Sequence, residues 1–242
     1  MIFSYSRLSL YQICPKRFYY KYILKLEDST ITKPLALGKA VHKSIEAIIN
    51  GLPVKEAVFE GYSVCDFHPE VSINEIAELV RRAPVTKNMG ETEFYFRIPL
   101  FNSPNAPKIQ GYIDLVQGNR LKDWKTNWKS YGVNENHQVG IYAWALSKLK
   151  GYEMVEGSLY FLRFKQESKY FFDENDMNQS RLWALKLANE INFKREMLDI
   201  CPEKANDLFL IKPSSACSYC PFAFECYLDN QMDMKRRVEI ND

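Results

Sequence analysis

Three thiols, Cys217-x2-Cys220-x5-Cys226, lie close together near the end of the chain, and Cys14 stands roughly 200 residues before them. Three thiolates do not close a metal cage, whereas four hold either an iron-sulfur cluster or a structural zinc. A shared site would pin the first helix to the tail and remove much of the freedom of the unfolded chain. The spacing alone does not separate the two metals. All-cysteine zinc sites usually come as two C-x2-C pairs, so one ligand this far from the other three leans toward a cluster. Cys65 and Cys201 have no such company and read as buried thiols.

A fold that ties its ends together needs a core large enough to hold them. With 242 residues the chain can bury one sizeable core, and a single domain is expected over 1–242. Within it, 1–90 reads as a mainly helical part, 91–200 as an α/β core and 201–242 as the cysteine segment packing on the N-terminus. No apolar run approaches the ~18 residues of a membrane span, and the N-terminus has no apolar signal-peptide core, so the expected location is the cytoplasm. In that compartment cysteines point away from disulfides and toward ligation, catalysis or burial. The net charge of +2 leaves the partner open, since a local basic groove needs no bulk charge.

Helical spacing runs from Ser4 to about Leu26, with Ser4 or Ser6 as N-cap and Pro15 splitting the run into two pieces. A helix is predicted over Ala36–Ile49, stopped by Asn50-Gly51, and further helices from Val54 to about Val80. The middle of the chain changes period. Glu93-Phe-Tyr-Phe-Arg-Ile-Pro-Leu, Ile109-Gln-Gly-Tyr-Ile-Asp-Leu-Val and Arg120-Leu-Lys-Asp-Trp-Lys-Thr are β-rich and separated by turn residues. A helix over about Asn136–Lys150, strands over Gly157–Phe164 and Lys169–Phe172, and a long helix from Asp176 to about Leu198 complete the pattern.

Asp114 falls near the end of one predicted strand, while Asp123 and Lys125 lie two apart on the next and so share a face. Two carboxylates and an ammonium at one sheet edge suit a hard divalent cation that holds a phosphate and a water. Asp-x-Lys alone is a common surface pair. Here, however, the charges are flanked by apolar strand residues, which draws them toward burial and the need of a partner. His42 offers an imidazole on the preceding helix, and Glu46 sits one turn further along the same face. Gln138 and Tyr142, at i and i+4, present an amide and a phenol together.

Taken in order, Ser4-x-Ser6-x-Leu8, Tyr11-x2-Cys14-Pro-x-Arg17-Phe-Tyr-Tyr, Gly38-x3-His42, Gly111-x-Ile-Asp114, Asp123-x-Lys125-Thr, Gln138-x3-Tyr142 and the triple cysteine resemble the RecB-like PD-(D/E)XK iron-sulfur nucleases. That family includes the AddB-type nuclease domains and the CRISPR-associated nucleases of spacer acquisition, and the resemblance spans nearly the whole chain. It implies a restriction-endonuclease-like α/β core, with a mixed central sheet flanked by helices and a helical N-terminal part joined to the C-terminal segment by a 4Fe-4S cluster on Cys14, Cys217, Cys220 and Cys226.

The same resemblance implies Mg²⁺ or Mn²⁺ on His42, Asp114, Asp123 and the backbone carbonyl of Trp124, with Lys125 as the catalytic lysine and Gln138 and Tyr142 supporting the site and touching DNA. The expected activity is a DNA nuclease, in particular an exonuclease on single strands or ends, serving spacer acquisition, repair or recombination. A helicase or CRISPR adaptation proteins are the implied partners, because the chain has no G-x4-G-K-[ST] loop of its own. Tyr112, Trp124 and Trp128 would stack unpaired bases, with core packing the better reading for Trp124. Glu93 stands before the Asp motif where some relatives carry an acid, outside the set of assigned residues. Two other readings compete: a non-catalytic DNA-binding or assembly module, and a zinc-stabilised regulator.

Overall fold

Ser4 takes an extended conformation and its hydroxyl accepts the Arg7 N–H, which starts helix α1 (Tyr5–Ile13) one residue after a short strand, β1 (Ile2–Phe3). Pro15 then opens α2 (Pro15–Phe18), leaving Cys14 extended between the two helices, and the chain continues into a π-helical turn, Tyr19–Ile23. The computed structural model describes residues 1–28 and 31–230. The helical run to about Leu26 is therefore three pieces, with a proline at the first junction because that residue has no N–H to give an ongoing helix.

Three helices follow: α3 (Lys33–Ile49), α4 (Val54–Val64) and α5 (Ile73–Val80). Their apolar stripes, carried by Val41, Ile45, Val58, Ile76 and Leu79, pack with Leu115, Trp124, Tyr160 and Leu162 from the sheet. The strands are β2 (Glu91–Pro99), β3 (Lys108–Gln117), β4 (Arg120–Lys125), β5 (Val155–Phe161) and β6 (Gln166–Phe172). The second expected hairpin is displaced: residues 162–165 form its turn, with Lys165 at φ +50°, so β5 ends three residues before Phe164 and β6 begins three before Lys169.

Among the described residues six strands form one mixed sheet in the order β1-β3-β4-β5-β6, with β2 pairing β3. The β4–β5 pair is parallel and the β3–β4 and β5–β6 pairs are antiparallel. Helix α6 (His137–Lys150) makes the crossover to the parallel strand, and α7 (Glu174–Ile200) packs beside it. With α1 they cover the face opposite α3, burying Leu8, Tyr11, Ile141, Ala145, Ala184 and Ile191 against Phe96, Ile113, Leu121 and Leu159.

Strand alternation fails at one place. Ile113 packs on the α6 side, yet Leu115 packs on the α3 side. Residues two apart on a regular strand share a face, so the reversal lies at Asp114. Opposite it, Glu93 has φ +49°. The β3–β4 ladder is also confined to Leu115–Gln117, and the two strands part where Asp114 stands. Irregularities of this kind re-aim side chains beside active sites.

The segment 206–229 packs on the first helices. Buried Lys16 places Nζ 2.8 Å from Asp229 Oδ2 and also donates to Asn206; Tyr20 donates to the same Asp229 oxygen at 2.8 Å. Phe209 stacks on Tyr19 and Phe222 packs against Tyr20. Among the described residues no helix is long and apolar enough to cross a membrane.

Candidate active site

The break in β3 turns Asp114 toward both α3 and β4. Its Oδ2 accepts the Trp124 N–H at 2.7 Å and lies 3.2 Å from His42 Nδ1 on α3. Asp123, two residues from buried Leu121 on β4, faces α6 and is almost wholly buried, 3% exposed. Its Oδ1 accepts from Gln138 Nε2 at 3.0 Å, and its Oδ2 lies 2.6 Å from Lys125 Nζ. That second contact, inside a buried site, is a close ion pair of the carboxylate with the ammonium.

Gln138 joins the set together. Asn136 caps α6 by accepting the Gln138 backbone N–H at 2.9 Å, which fixes the first turn of the helix over β4. From there the Gln138 side chain accepts from Lys125 Nζ at 2.9 Å and donates to both Asp123 and Tyr142 Oη, the latter at 3.3 Å. Tyr142 packs edge-on against Phe96, in space left by Gly111: a Cβ there would come within 2.7 Å of the Phe96 ring and 3.1 Å of Tyr142.

Burial opposes ionisation of Asp114, but the His42 charge and hydrogen bond, the Trp124 N–H and Lys125 outweigh it and hold its carboxyl below the usual range. Asp123 goes the other way. Burial raises it, Lys125 pulls against the rise, and the neighbouring Asp114 charge adds to it. Burial also disfavours a charged His42, yet Asp114 and then Asp123 raise it to about 9. Lys125 is likewise held protonated, against its own desolvation, chiefly by Asp123. Two adjacent carboxylates are thus driven apart in acidity by their surroundings, a pattern of functional sites.

Among the described residues no group of three or more His, Cys, Asp or Glu side chains stands ready arranged around a cation. His42 and Lys125 lie beside Asp114 and Asp123 as counter-ions, and Cys14, Cys217, Cys220 and Cys226 likewise do not form such a group. The donor types nevertheless suit a hard divalent ion: two carboxylates and one imidazole, with Asp123 buried in the sheet. Trp124 is tied to the site through its N–H, and its indole is core, 1% exposed. Of the other aromatics named from sequence, Tyr112 and Trp128 are exposed. Glu46 turns to an ion pair with Lys43 at 3.0 Å.

Sequence reasoning missed two tyrosines. Tyr5 and Tyr131 both feel the charges of Lys125 and Asp123, and burial raises both phenols. Tyr5 sits inside the Ser4-x-Ser6 motif, which was the available signal; Tyr131 lies in the loop after β4 and had none. Glu93 sits at the strand break beside Asp114, and burial followed by the Asp114 and Glu46 charges raises its carboxyl.

All six cysteines are free thiols. Cys14 lies at the α1–α2 junction, Cys217 in the turn Ser215–Tyr219, Cys220 just after it and Cys226 in a helical stretch at 223–230. Burial raises the Cys226 thiol, and Cys14, then Cys220 and Cys217, raise it further while Lys16 opposes them. The Ser214 N–H donates to Cys217 Sγ at 3.4 Å. Cys65 is buried, as expected, but Cys201 is only half-buried because it caps the C-terminus of α7.

A family model described as the PD-(D/E)XK nuclease superfamily matches residues 2–227, a span that takes in His42, Asp114, Asp123, Lys125, Cys14, Cys217, Cys220 and Cys226. No curated protein matches the chain. Among solved structures, the crystal structure of SSO0001 is similar at 16% identity over 92% of this chain and 84% of its own, with a TM-score of 0.44.

Proposed function

The chain belongs to the PD-(D/E)XK nuclease superfamily, whose activity is metal-dependent nucleic-acid cleavage, and from that premise we propose a DNA nuclease that acts as an exonuclease on single strands or DNA ends. One observation carries the reading: Gln138 couples Lys125 to Asp123 in a buried site next to the His42–Asp114 pair.

On this reading His42, Asp114, Asp123 and the Trp124 carbonyl would hold Mg²⁺ or Mn²⁺. The bound ion would polarise the scissile phosphate and lower the pKa of a water. The protein's own groups do the rest. Asp114 is kept ionised by the Trp124 N–H and His42, so it needs no proton loss to serve as a ligand. Asp123 brings a buried carboxylate whose Oδ2 is paired with the Lys125 ammonium. Lys125 keeps its proton and, anchored on Gln138 Oε1, neutralises negative charge that grows on the phosphate in the transition state. Tyr142 supports Gln138 from behind.

A 4Fe-4S cluster on Cys14, Cys217, Cys220 and Cys226 belongs to the same proposal. Its support is the packing of the segment with Phe209 and Asp229 on Tyr19 and Lys16, and the nearness of Cys14, Cys220 and Cys217 that raises the Cys226 thiol. The partners on this reading are DNA and either a helicase or CRISPR adaptation proteins, for repair and recombination or for spacer acquisition. Anaerobic purification with iron, sulfide and zinc analysis, followed by incubation with single-stranded and duplex DNA labelled at either end, tests all parts. Iron with sulfide and Mn²⁺-dependent shortening supports the proposal. Binding without cleavage in any metal would replace it with an assembly module, and one zinc per chain would replace the cluster.

A further inference from the structure

The face of the sheet that α3 covers over β4 and β5 is exposed at Tyr95 of β2 and Tyr112 of β3. Phe94, Phe96 and Ile113 pack on the α6 side, so Tyr95 and Tyr112, each next to one of them in the chain, face the other way. The two tyrosines are directly paired across the strands, with ring centres 5.0 Å apart, and both are about half exposed, 46% and 54%. The Tyr95 hydroxyl donates to Gln110 Oε1 at 3.3 Å. Arg97 pairs with Gln110, and Lys108 lies at the outer end of the same strand. Among the described residues neither Arg97 nor Lys108 forms an ion pair within 4.0 Å.

The strip ends at the site. Tyr112 precedes Asp114 by two residues, about 7 Å along the strand, and Tyr95 follows Glu93 by two. Trp128, exposed in the loop after β4, differs: the Arg163 guanidinium lies 3.7 Å over its ring and occupies one face. The tyrosine pair has no such cover.

We propose that Tyr95 and Tyr112 form a stacking platform for single-stranded DNA next to the scissile phosphate, with Arg97 and Lys108 following the backbone. The inference rests on the nuclease reading for its direction, since the platform leads a strand toward Asp114. Exposed aromatic faces select unpaired bases because a duplex hides its base faces in the stack, and stacking tolerates any sequence. Unpaired cations beside the rings fit a phosphate chain, whose electrostatics dominate affinity.

The test is anisotropy of a fluorescein-labelled oligothymidine, and of a duplex of equal length, with the intact protein in EDTA. Tyr95→Ala/Tyr112→Ala is expected to weaken single-strand binding at least about fivefold for each base losing its partner. Duplex binding and the melting temperature are expected to stay unchanged, and Tyr95→Phe/Tyr112→Phe is expected to keep wild-type affinity because the ring does the stacking. The single Tyr112→Ala variant repeats the test with less disturbance to the sheet. Unchanged single-strand affinity, or equal loss on single strand and duplex, overturns the platform. Mn²⁺-dependent cleavage by the wild type is scored separately: tyrosine-dependent binding without cleavage would remove the nuclease reading and leave the platform, and cleavage with tyrosine-independent binding would do the reverse.

Discussion

The carboxylate of Asp114 accepts the backbone N–H of Trp124 at 2.7 Å. The bond replaces a rung of the sheet: the β3–β4 ladder stops at Leu115↔Lys122, and beyond that pair a side chain satisfies the N–H that a strand carbonyl would otherwise take. The same carboxylate holds His42, so one residue both opens the strands and charges the space between them.

Asp114→Ala should therefore cost stability as well as activity. It strands a buried N–H and takes the counter-ion from His42, an effect of roughly 1–3 kcal/mol. At about 2–4 °C per kcal/mol for a chain of this size, thermal denaturation in EDTA should show a clear fall, and Asp114→Asn, which keeps an acceptor oxygen, a smaller one. Equal melting of the wild type and the alanine variant would contradict the role given to this bond.

Gln138→Ala leaves Lys125 and Asp123 as a contact with nothing to orient it. Displacement of catalytic groups on the order of 1 Å costs about 100-fold, so steady-state kinetics should show kcat down by that order while KM for DNA moves little. A variant with wild-type kcat would show that Gln138 only fills space.

The pH dependence of the metal-free protein follows from His42. Its folded pKa, about 9, lies above its ordinary 6.5, so the folded state binds the proton more tightly than the unfolded state. The stabilisation is fully present below about 6.5 and is lost as pH rises through about 9. Urea midpoints in EDTA should fall over that window in the wild type and stay flatter in His42→Asn. Metal binding runs the opposite way: an ion must displace the His42 proton, so affinity for Mn²⁺ should rise with pH up to about 9 and proton release should accompany binding. Parallel urea profiles for the two proteins would remove His42 from this role.

The ladder of motifs was legible because each is local. Asp123-x-Lys125 and Gln138-x3-Tyr142 declare a shared face by strand and helix period alone, and the structure brings all four side chains together. What joins them was not legible. The reversal at Asp114 breaks the period that sequence reading depends on, and Glu93, with its left-handed backbone, carries no glycine to announce it. β1 was missed because two residues, Ile2 and Phe3, carry no periodicity; the strand exists through its pairing with Lys108 and Ile109. Core packing is the better sequence reading of Trp124, which is buried, while the pairing of Tyr112 with Tyr95 lay out of reach because Tyr95 is on another strand.

The cysteine assignment separates by substitution. Cys14→Ser and Cys217→Ser should each lose iron, together with the absorbance of iron-thiolate bonds, and melt at lower temperature because the chain ends are no longer tied. Cys65→Ser and Cys201→Ser should keep the full iron content. Iron retained without Cys14 would break the link between the first helix and the tail.

The measurement that bears most directly on the central claim is cleavage of end-labelled single-stranded DNA by anaerobically purified wild type and Asp123→Ala, each with Mn²⁺ and with EDTA. Asp123 is buried between Lys125 and Gln138, so its removal should abolish turnover. The account predicts shortening of the labelled strand by the wild type with Mn²⁺ and none in the other three reactions. Cleavage that persists in the Asp123 variant, or in EDTA, would contradict it.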